Sequence, residues 1–300
     1  MTAARLALAA PGVFSVDVEE HFQVAALSGQ VARHQWDDHP SRVEANTRRC
    51  LDLLAEASAR GSFFVLGWVA RRCPALVRRI AEAGHEVASH GMEHDRVEAL
   101  GPQRFAADVS AARRLLEDAS GAAVVGYRAP SFSMRPGMDW AYRALVEAGY
   151  RYSSSVYPVR HDHYGDPDAP RRAYRPLPDA DLLEFPLSTA QLAGRNLPAS
   201  GGGYFRFLPY PVSRTLLRMA GSDRQQATIF YMHPWEIDPA QPRVGGLPLR
   251  SRLRHYVNLH RTESRLRALL RDFPWDRMDR VFARELAQPA AVPVIDAATR

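Results

Sequence analysis

Short apolar runs alternate with amphipathic stretches of helix length along this chain, and nothing else in the sequence restricts its fold as strongly. The runs are GVFSVDV (12–18), SFFVLG (62–67), HEVASH (85–90), VVGYRAP (124–130), RYSSSVY (151–157), LLEFPL (182–187) and ATIFYMH (227–233). Between most of them lie stretches such as 41–60, 72–84, 101–120 and 135–149, in which apolar residues recur at intervals of three and four. Gly84 and Gly149 stand where glycines end helices, and Ser41 is placed to cap a helix start. Strands alternating with helices of this length predict parallel βα units.

Two stretches break the rhythm. Residues 158–181 are rich in Pro, Asp, His and Arg without periodicity, and 194–206 runs into SGGGYFRF, so both read as loops or an aromatic hairpin over the barrel. After His233 a proline-rich loop and a helix are expected, with a frayed tail from about residue 286. With 300 residues and 46% hydrophobic content the chain can bury the core of one elaborated domain. No internal repeat or low-complexity tract interrupts it.

The formal charge of +6 would ordinarily suggest nucleic acid, but every one of the 39 basic residues is arginine. Pairs such as Arg48-Arg49, Arg71-Arg72 and Arg78-Arg79 fall at helical spacings, as solvated helix faces do, so no nucleic-acid partner is expected. Cys50 and Cys73 sit in Arg-rich segments that read as helix, which implies neither a disulfide framework nor a thiolate cluster. A reducing compartment follows, hence a cytoplasmic location, with membrane association through partners as the alternative. The Ala/Leu run near the N-terminus is broken by Pro11 and leads straight into a strand, so no signal peptide is expected. No segment approaches the roughly 18 apolar residues of a spanning helix.

The chemistry-bearing residues gather at strand ends. In FSVDVEEHF an extended backbone puts Asp17 and Glu19 on one face and Val16 and Val18 on the other. Asp17, Glu19 or Glu20 could equally cap the segment that follows. His90 and His94, four residues apart in EVASHGMEHD, suit a divalent metal if they share a helix face, or are two polar residues on a solvated helix. Two imidazoles and one carboxylate with open positions make a catalytic metal site, and a second carboxylate nearby supplies a general base.

SVDVEEHF, HEVASHGMEH, YRAPSFS and FYMHP, in this order and spacing, resemble the successive motifs of the NodB-type polysaccharide deacetylases, the family-4 carbohydrate esterases. HPWEID and LRHYVNLHRTESRLRALLRDF resemble the C-terminal extension of deacetylases from exopolysaccharide and exosortase loci. The resemblance implies a distorted (β/α) barrel of seven or eight strands over 12–235, an extension packed on it over 236–285, and a flexible tail over 286–300. It implies one divalent metal, zinc by expectation, held by Glu19, His90 and His94. Asp17 is implied as general base, Arg128 as its orienting partner, the backbone N–H of Ser131 as oxyanion donor and His233 as general acid. The implied reaction removes N-acetyl groups from a glycan during extracellular polysaccharide biosynthesis. A small cyclic amide or imide as substrate, and an inactive glycan-binding barrel, are the alternatives.

Three departures mark this chain. The first motif separates its acids by Val18, so the choice of Glu19 over Glu20 as ligand rests on strand alternation. Gly91 replaces the hydroxyl residue that usually follows the first histidine. RYSSSVYP offers Ser153 where many members carry an aspartate for the acid histidine, which leaves the partner of His233 unassigned. His85, His255 and His260 read as structural, His161 and His163 as loop residues within reach of a substrate, and Tyr204, Phe205 and Phe207 as aromatic packing.

Overall fold

Each run read as a strand forms one in the computed structural model, which describes residues 11–24, 27–161, 164–222 and 227–296. They are β1 (Gly12–Val18), β2 (Ser62–Val65), β3 (Glu86–Ser89), β4 (Gly126–Tyr127), β5 (Tyr152–Ser153) and β6 (Leu183–Glu184), then β9 (Ile229–Met232) after a hairpin of β7 (Thr189–Leu192) and β8 (Arg195–Pro198). A further strand, β10 (Trp275–Asp276), comes from the segment expected as an extension and pairs with β1. The main sheet is parallel throughout and runs β10-β1-β2-β3-β4-β5-β6, with β9 also paired to β1. This curled sheet of eight strands is a distorted, incomplete (β/α) barrel, as expected.

The amphipathic stretches form α1 (Val43–Glu56), α3 (Pro74–Glu82), α4 (Val97–Ser120) and α5 (Asp139–Glu147), with a short α2 (Gly67–Arg72) between β2 and α3. Gly84 and Gly149 follow their helices at φ +80° and +86°, the left-handed conformation that a side chain disfavours. The capping role given to Ser41 is corrected. Its hydroxyl donates to Glu20, whose carboxylate itself accepts the N–H of Arg42 at 2.9 Å and of Val43 at 3.1 Å. A remote acid on the loop after β1 thus caps α1.

The aromatic hairpin is corrected too. The hairpin is β7–β8, whereas Gly202–Phe207 forms a helix, α6, that buries Phe205 against Phe230 and leaves Phe207 70% exposed. Beyond it come α7 (Tyr210–Ser222), α8 (Leu249–Tyr256), α9 (Leu259–Asp272), α10 (Met278–Val281) and α11 (Ala283–Ala287). The chain is hydrogen-bonded as far as Ile295, whose N–H donates to the Arg175 carbonyl. Residues 1–10, which hold the Ala/Leu run, and 297–300 of the expected tail lie outside the described residues, as does His163. Among the described residues no helix is long and apolar enough to cross a membrane.

Alternation along the strands sorts two cores. Phe14, Val16 and Val18 of β1, Phe63 and Val65 of β2 and Phe230 and Met232 of β9 face outward into the layer shared with the helices. Val13, Phe64, Ala88, Tyr152, Leu183, Ile229 and Tyr231 fill the barrel. Gly126 is needed there, because a Cβ would sit 2.2 Å from the Tyr152 ring, whose hydroxyl crosses the interior to donate to Glu86 at 2.8 Å. The inward set continues past the C-terminal strand ends. Val13 and Ser15 lead to Asp17, Glu86 and Ala88 to His90, Gly126 to Arg128, and Ile229 and Tyr231 to His233.

Candidate active site

Asp17 and Glu19 leave β1 buried and on the same side, as the alternation requires. Arg128, with no exposed surface, donates from Nη1 to Asp17 Oδ1 at 2.6 Å and to Ser15 Oγ at 2.9 Å. Its remaining nitrogens go to the carbonyl and hydroxyl of Ser154, and the guanidinium lies 4.0 Å from the centroid of the Phe64 ring. The base candidate is therefore held by a fully engaged cation that fixes one oxygen and leaves Asp17 lining the pocket.

The histidine pair is not on a helix. His90 ends the inward parity of β3, and His94 sits in the loop that follows, at φ +58°. The strand reading of 85–90 holds and the helical-face reading of the pair is corrected. Gly91 at φ +77° turns the chain, and a Cβ there would approach Asp108 Oδ2 to 3.1 Å. Asp108 accepts the Met92 N–H at 3.1 Å, while Arg33 donates to Glu93 and Asp95 on the outer side of the loop. These contacts steady the turn where the hydroxyl residue is missing.

His90 Nδ1 lies 2.9 Å from the Arg128 carbonyl oxygen and donates to it, which turns the Nε2 lone pair toward Glu19, 3.9 Å away. His94 Nε2 lies 2.8 Å from Glu19 Oε2. Burial, with His94 adding to it, pushes His90 down to about 3, so its imidazole is neutral. Burial works against the Glu19 charge, but His94 and then His233 hold its carboxyl below the usual range. One atom from each of Glu19, His90 and His94 lies within 4.8 Å of the others, and Glu19 Oε2 is buried among the imidazoles. Two imidazole nitrogens converging on one buried carboxylate fit one divalent ion with positions left open. Glu20, the other acid considered, is turned away by its capping of α1.

His233 closes the opposite side, with Nε2 3.5 Å from Glu19 Oε1. Its Nδ1 lies 2.7 Å from Glu236 Oε1, and Arg206 Nε donates to Glu236 Oε2 at 2.6 Å. Ser153 takes no part, since its hydroxyl donates to Ser155. Burial opposes the His233 charge, yet Glu19 and Glu236 raise it to about 9, so the imidazole is protonated at neutral pH. Burial likewise opposes the Glu236 charge, and Arg206 and His233 override it to about 2. A Cβ on Gly202 would lie 1.8 Å from Glu236 Oε1, so the glycine run lets the start of α6 close over this carboxylate. Sequence reasoning missed Glu236 and Arg206, although HPWE carried the signal: an acid three residues after a histidine in a single turn.

Trp235 stacks between His233 and His255, at 5.1 and 4.4 Å, and its indole N–H points at Glu19. His85 accepts from Gly61 away from the cavity, whereas His255, 2.8 Å from Gln241 and stacked on Trp235, also lines the cavity. Ser131 lines the pocket at φ +55°, followed by Phe132 at +46°, a pair of non-glycine residues in a disfavoured conformation at the wall. Asp17, Glu19, His90, His94, Ser131 and His233 share one cavity of about 150 Å³, with Arg128 behind Asp17.

Comparison with known proteins divides the chain near its middle. Residues 27–153 match the family model described as polysaccharide deacetylase, and 154–283 match one described as a domain of unknown function, DUF3473. The chain is 40% identical over 96 residues to a chitooligosaccharide deacetylase of Sinorhizobium fredii, an alignment covering 32% of this chain and 44% of that one. It is 27% identical over 119 residues to a peptidoglycan-N-acetylglucosamine deacetylase of Bacillus cereus, covering 39% and 52%. The chain thus spans about half the length of the curated relatives it matches. A candidate polysaccharide deacetylase from Mycobacterium smegmatis has the same fold, with a TM-score of 0.62, 22% identity and coverage of 98% and 97%.

Proposed function

We propose that this chain, whose residues 27–153 match the family model described as polysaccharide deacetylase, is a metal-dependent hydrolase that removes N-acetyl groups from a glycan. One observation carries the reading: a three-residue metal-type cluster has a carboxylate held by Arg128 on one side and a protonated histidine held by Glu236 on the other. Glu19, His90 and His94 hold the ion, which when bound supplies Lewis acidity to the acyl carbonyl and to the attacking water. Asp17 takes the proton of that water, and Arg128 holds its carboxylate in place. The Ser131 N–H faces the oxygen on which charge develops. His233 gives its proton to the nitrogen as the C–N bond breaks, because an amine departs only when protonated. Glu236 and Arg206 keep that proton on the imidazole until it is needed. The acid half of the machinery therefore comes from the region of unknown function, and the base and metal half from the first part of the chain.

The activities for which the relatives are named, on chitooligosaccharide and on peptidoglycan N-acetylglucosamine, support a glycan carrying N-acetyl hexosamine. The likeness of 236–275 to the extension of exopolysaccharide-locus enzymes supports a place in cell-surface polysaccharide assembly. The two free cysteines suit a reducing compartment. Incubation of the purified chain and a divalent metal with N-acetylglucosamine oligomers should release acetate. No release from any oligomer length would contradict the assignment.

A further inference from the structure

Trp235 touches the metal carboxylate and the acid histidine at once. It follows His233 in the single turn Pro234–Ile237, is buried, and lines the catalytic cavity. Its indole N–H donates to Glu19 Oε1 at 3.4 Å, the oxygen that also faces His233 Nε2 at 3.5 Å. The other oxygen, Oε2, faces His94 at 2.8 Å and His90 at 3.9 Å. An indole nitrogen is a donor only and has no lone pair for a metal. The two oxygens of Glu19 are thereby told apart, Oε1 on the tryptophan side and Oε2 on the side of the imidazoles. The ring itself lies against His233, 19° from parallel with centroids 5.1 Å apart.

The ring is in turn clamped. His255 of α8 stacks on it at 12° and 4.4 Å, and the Arg206 guanidinium lies 5.2 Å from its centroid. Gln241 Nε2 donates to the carbonyls of Trp235 and Asp238 at 2.9 and 3.1 Å, so its Oε1 is the acceptor and His255 Nε2, 2.8 Å away, donates to it. A closed circuit of buried groups thus runs from the Trp235 ring through His255 and Gln241 back to the Trp235 main chain. Core packing alone asks for an apolar ring here, not for an N–H aimed at a carboxylate. We propose that Trp235 is a positioning residue, which sets the Glu19 carboxylate for the metal through its N–H and the His233 imidazole for the leaving nitrogen through its face, with Gln241 and His255 as its clamp. The inference deepens the deacetylase reading above and rests on it.

Trp235→Phe keeps a ring and removes the donor, whereas Trp235→Leu removes both. Zinc affinity of the full chain, measured by competition with a chelator, should fall about tenfold to a hundredfold in both, the scale of a lost partner to a metal ligand. Turnover should separate them, because an amide leaves only with a proton from His233 and an activated aryl acetate leaves without one. At saturating zinc, the ratio of acetate release from N-acetylglucosamine oligomers to hydrolysis of p-nitrophenyl acetate should hold in Trp235→Phe and fall about tenfold or more in Trp235→Leu. Wild-type zinc affinity in Trp235→Phe, or one ratio across all three proteins, would reduce Trp235 to core packing and overturn the proposal. The wild type gives a reading that needs no variant: with isotope-labelled tryptophan, the indole N–H resonance of Trp235 should shift as zinc is added up to one equivalent. An unmoved resonance would overturn the proposal as well. Unchanged zinc affinity in Trp235→Phe with acetate release intact contradicts this inference alone, whereas a wild-type chain that binds zinc and releases no acetate contradicts the deacetylase reading.

Discussion

Asp17 and Glu19 differ by one turn of strand alternation and by what holds them: an arginine for Asp17, two imidazoles for Glu19. Asp17→Asn removes a base and no ligand, so the variant should keep its metal and lose about 10²–10⁴-fold in turnover, as measured by elemental analysis beside acetate release. His233 depends on its neighbours in a way that pH exposes. Glu19 and Glu236 raise its ionisation to about 9, and the acid role needs the protonated form, so activity should fall on the alkaline side as that proton is lost. Glu236→Gln removes one of the raising charges, and the alkaline limb of kcat should move to lower pH while the metal stays bound. An unmoved limb would show that Glu236 only packs the turn. Asp17 was singled out by strand alternation, and Arg128 and His233 by the resemblance of YRAP and FYMHP to family motifs; in the structure each continues the inward parity of its own strand. Glu236 was not, because the expected partner was sought on β5, while the actual one arrives from the next turn of the same segment and is braced by Arg206 from α6.

At the scale of elements, the site hangs on loops pinned from a distance. Glu20 closes the N-terminus of α1 with acceptors for two backbone N–H groups and lies against the positive end of its dipole. Glu20→Ala should cost about 1–2 kcal/mol of stability, as a lost cap does, yet leave metal content unchanged. Loss of metal in that variant would return Glu20 to the ligand set. The loop from His90 to His94 was the least legible element. Four-residue spacing invites a helix, but β3 runs into His90 and positive φ at Gly91 and His94 folds the loop back so that both imidazoles reach Glu19. The short strands β4, β5 and β6 were legible as apolar runs, though only two residues of each pair. The helix α6 was not, since three glycines read as a turn until the carboxylate of Glu236 behind them is seen.

Across the whole molecule, parallel βα order was readable from periodicity, because each strand and helix repeats the same apolar demand, whereas the barrel came from the resemblance of the four motifs to a known family. The barrel floor carries its own titration. Burial, then Asp279, raises the carboxyl of Glu86 to about 7, against an ordinary value near 4.5. Its contribution to stability is therefore complete below about 4.5 and is lost as pH rises through about 7. The melting temperature of the wild type should fall between pH 5 and pH 8 relative to that of Glu86→Gln, and parallel curves would contradict this. Three stretches of the chain meet at one cavity: β1, ahead of the matched regions, brings Asp17 and Glu19, residues 27–153 bring His90 and His94, and residues 154–283 bring His233. The measurement that tests this account most directly is acetate release from N-acetylglucosamine oligomers by the metal-stripped chain as zinc is titrated back. Activity should be absent at the start, rise to a plateau at one equivalent per chain, and fail to return in His90→Ala or His94→Ala. Release that persists after stripping, or full restoration in both histidine variants, would contradict the assignment of Glu19, His90 and His94 as the metal site of a deacetylase.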